Sequence, residues 1–193
     1  MVNSHTVTYK PIASADNPAQ LEFNCSGHSY YYIDLNSVPL LLRIKLVKTD
    51  GSDLVSGESN TVGCVNNLLH SMFSFLSVSL KCKTVTLHET NYHYKAYLEK
   101  LLNYGYDASG THLVSRFWFI DSPTSDGAIK DNTVYTTRLN YLVTGQTIKL
   151  YGRLHADLFN SDKVMINGVD IHVHRKLFIY WHLQTIPNYV SRF

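Results

Sequence analysis

The sequence predicts an all-β protein of antiparallel strands, arranged as a β-sandwich or a jelly roll. Several short runs alternate apolar and polar residues with a period of two, and turn signals separate these runs. Only one or two segments have helical periodicity, so the regular alternation of strands and helices that builds a parallel sheet is missing from the sequence.

The first predicted strands lie in the N-terminal half. In the run 30–35, Tyr31, Ile33 and Leu35 share one face. The run 40–48 alternates more regularly, and the run 74–82 places apolar side chains on one face and Ser or Lys on the other. These patterns predict three half-buried strands.

The later strands are predicted at 113–120, 148–154 and 164–174. The run 113–120 is apolar on both faces, which predicts a strand that is covered on both sides. Asn167-Gly168 separates the apolar runs 164–166 and 169–171, and Asn-Gly in such a place is typical of a type I′ hairpin. After this turn Val169, Ile171 and Val173 are expected to face inward.

One helix is predicted over 91–104, and a second, short one over 65–73. In the first, apolar residues recur at i, i+3, i+4, i+7 and i+8, namely Tyr94, Tyr97, Leu98, Leu101 and Leu102. This stripe is expected to pack on the sheet.

Composition excludes several classes of function. Hydrophobic residues make up 45% and charged residues 17%, against roughly 25% charged in average globular proteins, which excludes intrinsic disorder and favours contact with other surfaces. The net charge of +2 comes without a basic stripe, so specific nucleic-acid binding is not expected. The sequence shows no secretion signal and no run that approaches the ~18 apolar residues of a membrane span. Its three cysteines follow no disulfide or zinc-binding spacing. We therefore expect an intracellular protein outside the membrane.

The sequence predicts no catalytic, cofactor-binding or metal site. His172 and His174 share a strand face, as in metal enzymes of the cupin type, but no carboxylate follows them at 177–181. Arg153, His155 and Asp157 alternate along a strand end, where a structural or interface role is favoured over acid–base catalysis. A cupin-like metal-dependent enzyme therefore remains a minor alternative.

Tyrosine is abundant, with 14 residues that include the consecutive Tyr30, Tyr31 and Tyr32. Exposed tyrosines form platforms for sugars, and they are equally common at protein interfaces. A β-sandwich carbohydrate-binding module is therefore the main alternative function.

Four blocks together resemble the major capsid proteins of polinton/Maverick elements and adintoviruses. They are Val-Asn-Asn-Leu-Leu-His-Ser-Met-Phe-Ser at 65–74, Tyr-Lys-Ala-Tyr-Leu-Glu-Lys-Leu-Leu-Asn-Tyr-Gly at 94–105, Gly-Arg-Leu-His-Ala-Asp-Leu-Phe at 152–159 and Ile-Asn-Gly-Val-Asp-Ile at 166–171. Their order and spacing are similar to the first part of that family's chain.

The resemblance implies a structural protein with two tandem jelly rolls, which forms trimeric capsomers that contact other capsid subunits in a virion shell. It brings no catalytic residues and no cofactor. The residues it marks as structural or interface candidates, together with those from the strand and turn patterns, are Tyr94, Tyr97, Leu98, Leu101, Arg153, His155, Asp157, Asn167 and Gly168.

The sequence departs from the family in two places. Where the family has Asn-Gly-Lys in a turn, this chain has Lys81-Cys82-Lys83, and Cys is a poor occupant of positive φ. The likeness also fades after Arg175. We therefore predict an irregular arm (1–19), a truncated first jelly roll (20–175) and a divergent tail (176–193), in which the run 177–181 is a candidate replacement strand. The hypothesis is a jelly-roll subunit or a truncated remnant of one, whose incomplete edge makes it prone to self-association.

Overall fold

The computed structural model describes residues 4–12, 20–48, 52–53, 64–86, 90–120, 133–142, 145–177 and 189–192. Within them the strands are β1 (Gln20–Cys25), β2 (Ile33–Asp34), β3 (Pro39–Lys48), β4 (Phe73–Leu80), β5 (Lys83–Thr84), β6 (Ile148–Arg153), β7 (Val164–Met165), β8 (Ile171–Leu177) and β9 (Tyr189–Arg192). The α-helices are α1 (Leu68–Ser71), α2 (Tyr92–Asn103), α3 (Tyr106–Ser109) and α4 (Thr133–Leu142), and short 3₁₀ helices cover Leu35–Ser37, Val114–Arg116 and Asp157–Asn160.

The described strands form antiparallel sheets. One sheet has the order β1-β8-β4-β5, a second has the order β6-β3-β9, and β2 pairs with β7. Every pairing recorded between these strands is antiparallel. The prediction of a β-rich antiparallel fold with a few inserted helices is therefore confirmed.

The chain divides into two units. Unit 1 comprises Met1–Val38, Phe73–His93 and His155–Ile179, and it holds the four-stranded sheet and the β2–β7 pair. Its buried core includes Leu76 and Val78 of β4 and Ile171 and Val173 of β8. Val78 lies directly opposite Val173 in the β4–β8 register, so the predicted inward face of β8 is confirmed for Ile171 and Val173.

Unit 2 comprises Pro39–Met72, Tyr94–Leu154 and Tyr180–Phe193, and it holds the three-stranded sheet. Alternate residues of β3, Leu40 and Ile44, are buried, and Leu150 of β6 is buried beside them. Leu69 of α1 and Leu113 are fully buried in the same unit.

Four sequence predictions correspond closely to observed elements. The runs 40–48, 74–82 and 148–154 form β3, β4 and β6, and the predicted helix 91–104 is α2. The short helix predicted at 65–73 is present as the single turn α1. Among the described residues no helix has the length and apolar character needed to cross a membrane.

The strand predicted at 113–120 is wrong. Val114–Arg116 is a 3₁₀ helix, and Phe117 follows it with φ +62°. Leu113, Phe117 and Trp118 are all buried around this turn. The apolar residues of the run 113–120 therefore belong to a buried turn and not to a strand that is covered on both faces.

The strand predicted at 30–35 is shortened to β2. The Asp34 carboxylate accepts hydrogen bonds from the Asn36 N–H at 3.0 Å and from the Ser37 hydroxyl at 2.6 Å. This local cap turns the chain into the 3₁₀ helix Leu35–Ser37 and ends the strand.

The turn at Asn167-Gly168 exists, but the predicted type I′ hairpin is wrong. β7 pairs with β2 rather than with β8. Of the two turn residues, only Gly168 has positive φ (+72°), as in a type II turn. Asp170 is also engaged elsewhere, because its carboxylate accepts from the Gly27 N–H at 2.8 Å.

The Lys81-Cys82 turn joins β4 to β5, and its left-handed residue is Lys81 (φ +50°), not Cys82. The strand proposed at 177–181 lies outside the described residues beyond Leu177, and so does most of the predicted tail. A different segment, β9, pairs with the second half of β3.

Candidate functional site

Helix α2 presents its apolar stripe to solvent. Tyr92, Ala96 and Lys100, which follow one another at intervals of four residues, are fully buried. The predicted stripe is on the other side, where its side chains are 38% to 80% exposed: Tyr94, Tyr97, Leu98, Leu101 and Leu102. The expectation that the stripe packs on the sheet is therefore wrong. The periodicity identified the two faces of the helix correctly, but it did not identify which one is buried.

Lys100 is a buried basic residue that the sequence pattern did not single out. Its side chain is 0% exposed, and its ammonium nitrogen donates a hydrogen bond to Oδ1 of Asn67. The indole ring of Trp118 lies 5.8 Å from this nitrogen. Burial, together with the positive charge of Arg116, lowers the pKa of Lys100 from 10.5 to about 6. The amine is therefore largely neutral at pH 7.

The partner of Lys100 is held in an unusual backbone conformation. Asn67 has φ +58°, and its N–H donates to the carbonyl oxygen of Phe117 at 2.8 Å. Phe117 also has positive φ, which is uncommon for an aromatic residue. Asn66 adds a second link, because its Oδ1 accepts from the Phe119 N–H at 2.9 Å. Two residues of positive φ are thus bonded to each other, and one of them, Asn67, accepts the hydrogen bond of the buried amine.

Arg116 is another buried basic residue of unit 2. Its guanidinium lies 6.0 Å from the centre of the Tyr104 ring. A Cβ atom at Gly152 would lie 2.8 Å from Cγ of Arg116 and 2.8 Å from Cδ2 of Leu69, so glycine leaves the space that these side chains occupy. Within the described part of the chain neither Lys100 nor Arg116 forms an ion pair with a carboxylate.

Asn67, Lys100, Arg116 and Trp118 are called the Lys100 cluster below. Perturbed lysines often mark functional sites, and a neutral amine can act as a base or nucleophile. In this structure the Lys100 side chain is fully buried and is hydrogen-bonded to Asn67. The arrangement suits a group that anchors α2 and responds to protonation.

Three of the four sequence blocks described above meet at this cluster. The block 65–74 contributes Asn67 and Leu69, the block 94–105 contributes Lys100 and Tyr104, and the block 152–159 contributes Gly152. The signal available in the sequence was the position of Lys100 four residues after Ala96, on the side opposite the apolar stripe.

The candidates Arg153, His155 and Asp157 do not share one element of the fold. β6 ends at Arg153, which is half-buried in unit 2, so the three alternating residues do not share one strand. His155 is buried in unit 1, where its N–H donates to the Tyr92 hydroxyl at 3.2 Å, and Asp157 is exposed at the start of a 3₁₀ helix.

Asn167 and Gly168 support the three consecutive tyrosines. The Gly168 N–H donates to the His28 carbonyl at 3.1 Å, and the Asn167 amide donates to the Ser29 carbonyl. Residues 28–32 are called the tyrosine loop below. Its side chains Tyr30, Tyr31 and Tyr32 are 51% to 89% exposed, and the His5 ring lies 4.7 Å from that of Tyr31.

Unit 1 contains a fully buried arginine, Arg175, which continues the inward face of β8. Its guanidinium lies 3.8 Å from the centre of the Phe73 ring and 4.9 Å from that of Tyr92. Burial lowers the pKa of Arg175, and the neighbouring Tyr92 opposes this shift.

The two strand histidines do not join a larger ligand set. His172 and His174 are half-buried, and Nε2 of His174 is 3.8 Å from Oε1 of Glu22. Among the described residues no group of three or more His, Cys, Asp or Glu side chains is arranged to hold a metal ion.

Comparison with known proteins finds a distant relative in a nematode. The chain is 25% identical over 174 residues to an uncharacterized protein of Caenorhabditis elegans. The match covers 86% of this chain and 38% of that protein, so the chain spans well under half of the relative's length. No family model matches the chain, and no solved structure shows significant similarity.

Proposed function

We propose that this chain is a jelly-roll subunit of the capsid type, which acts by assembling with copies of itself and not by catalysis. The observation that carries the jelly-roll part of the proposal is a nested set of strand pairs. β1 pairs with β8, β2 with β7 and β3 with β6, so the segment 20–48 runs antiparallel to the segment 148–177.

Such nesting is the pairing pattern of a jelly roll, in which one long antiparallel ribbon is rolled into two sheets. The first and last members of the ribbon lie side by side in one sheet, as β1 and β8 do, and β4 joins that sheet along the other edge of β8. The inner members β3 and β6 pair in a different sheet. The connectivity therefore supports the finer prediction of a jelly roll.

A jelly roll alone does not decide a function, because lectins and cupins share it with capsid proteins. The capsid assignment depends on the resemblance of the four blocks, and three of these blocks meet at the Lys100 cluster. Under this proposal the chain corresponds to the first of two tandem jelly rolls, forms trimeric capsomers and belongs to a virion or to a decayed remnant of one.

Large apolar side chains on the surface further support assembly. Contiguous exposed apolar patches usually mark places where proteins meet other surfaces. The stripe of α2 is such a patch, and Leu41 of β3 and Tyr151 of β6, which pair across the strands, are also more than half exposed.

Sedimentation velocity over a concentration series tests this proposal. We expect the sedimentation coefficient to rise with concentration as the 22.0 kDa chain forms oligomers. Negative-stain images of the concentrated sample should show regular closed particles. A dispersed monomer at every concentration would contradict assembly as the function.

The second candidate is a carbohydrate-binding module, which the exposed tyrosine loop favours. The turn at Asn167-Gly168 bonds to the loop backbone at His28 and Ser29, and exposed rings on such an anchored loop suit stacking on the apolar faces of sugars. A glycan array probed with the wild type, with Tyr30→Ala/Tyr32→Ala and with the control Tyr106→Ala tests it. Specific signals lost only in the loop variant would favour sugar binding, and an empty array would count against it.

A further inference from the structure

The exposed stripe of α2 is large and uniform. Its five residues follow the helical spacing of a single face, and Tyr106, at the start of α3 three residues after α2 ends, is also exposed. No charged residue belongs to this set. At typical side-chain areas these six residues expose on the order of 700 Å², close to the ~800 Å² that each partner contributes to a stable interface.

The opposite face of the helix holds the stripe in place. Ala96 and Lys100 are fully buried, and the Lys100–Asn67 hydrogen bond fixes the rotation of the helix about its axis. A surface that is fixed before binding loses little conformational entropy when a partner covers it. Because Lys100 and Ala96 are on the buried face of α2, the leucines and tyrosines of the stripe point outward.

A second copy of the chain fits this surface best. In a two-fold interface each partner offers the same patch, so a single stripe of Leu and Tyr is sufficient for both sides. Interfaces between identical subunits are also more apolar than other interfaces, as this stripe is. Leu98 lies near the centre of the stripe and therefore close to the expected two-fold axis.

We propose that α2 pairs with α2 of a second copy, antiparallel, through the face formed by Tyr94, Tyr97, Leu98, Leu101 and Leu102. This inference rests on the proposed assembly function and names the contact that assembly uses. A two-fold contact does not build a trimer, so the α2 pair joins one capsomer to the next.

The first test replaces two stripe residues by charges, in the variant Leu98→Glu/Leu101→Glu. Both side chains are more than half exposed, so the fold is expected to persist, as circular dichroism would verify. The matched control is Tyr32→Glu, because Tyr32 is an exposed aromatic residue of unit 1 that does not belong to the stripe. In sedimentation equilibrium we expect at least a twofold fall in weight-average mass for the stripe variant and wild-type association for the control.

The outcomes separate the two proposals. If the wild type associates and the stripe variant associates equally, the α2 contact is refuted while assembly stands. If the wild type stays at 22.0 kDa throughout, both proposals fail.

The second test asks whether the two copies meet symmetrically. In a Cys82→Ser background, Leu98→Cys should form a disulfide-linked dimer under mild oxidation, because equivalent residues meet near the two-fold axis. Tyr32→Cys in the same background should stay largely monomeric on a non-reducing gel. If Leu98→Cys gives no more dimer than this control, the stripe docks elsewhere and the two-fold pairing is refuted.

Discussion

The variant Lys100→Met gives the sharpest test of the buried cluster, because its effect should change sign with pH. In the folded chain the pKa of Lys100 is lowered from 10.5 to about 6, whereas in the unfolded chain the amine keeps its ordinary pKa. Between these two values the unfolded state binds the extra proton, so folding loses up to about 1.4 kcal/mol for each unit by which pH falls. Below pH 6 the loss is complete and stays constant.

The magnitude follows from this window and from the contacts of Lys100. At pH 7 the buried amine costs the folded state up to roughly 5 kcal/mol. Methionine removes that cost and fills a similar volume, but it also removes the hydrogen bond to Asn67, a loss of about 1–3 kcal/mol once Oδ1 is left unpaired. We therefore expect Lys100→Met to stabilise the protein by roughly 2–4 kcal/mol at pH 7. Near pH 10 the cost of the buried amine falls below about 1 kcal/mol, so the variant should be less stable than the wild type by up to about 2 kcal/mol.

Urea denaturation followed by circular dichroism, at several pH values between 6 and 10, measures these free energies of unfolding. Low protein concentration keeps association from contributing. Lys149→Met is the matched control, since Lys149 is an exposed lysine of β6 in the same unit. The reasoning is refuted if Lys100→Met is less stable than the wild type at every pH and keeps the wild-type slope, because the amine would then be charged and paired in the folded chain.

Three further changes test the packing. Gly152→Ala should lower the free energy of unfolding by about 1–3 kcal/mol, because the new Cβ would lie 2.8 Å from Cγ of Arg116. Gly105→Ala is the control: its new Cβ would have nothing within 4 Å, so thermal melts should show almost no change. Gly168→Ala should cost about 1 kcal/mol in urea denaturation, because its site is open but its φ is +72°, and a neutral result would contradict the assigned turn. Arg175→Lys should be less stable than Arg175→Met by about 1 kcal/mol or more. An ammonium is more strongly hydrated than a guanidinium, and it stacks poorly between the rings of Phe73 and Tyr92. The reverse order of stability in urea denaturation would refute a stacking role for Arg175.

Local patterns predicted the local elements well. β3, β4, β6 and α2 each carry their own period of two or of 3.6 residues, so sequence reasoning placed them within a few residues. Where a side chain redirects the chain, the pattern misled. Asp34 caps a 3₁₀ helix and cuts short the strand predicted at 30–35, and the positive φ of Phe117 turns the segment predicted as a strand at 113–120.

The candidate site was much less accessible to sequence reasoning. Amphipathicity divides α2 into two faces, but burial of Lys100 and Ala96 depends on Asn67 and Trp118, which lie far away along the chain. The strand pairing is equally non-local, since β1 and β8 pair although more than half of the chain separates them in the sequence. Such contacts arise from the packing of the whole fold and leave no periodic signal in the sequence.

Native mass spectrometry of the purified chain tests the central claim most directly. The account predicts discrete peaks at whole multiples of 22.0 kDa, with the threefold multiple prominent at low concentration and its even multiples appearing as concentration rises. In Leu98→Glu/Leu101→Glu the threefold multiple should remain and the even multiples should vanish. A single 22.0 kDa species at every concentration would contradict the claim that this chain acts by joining copies of itself.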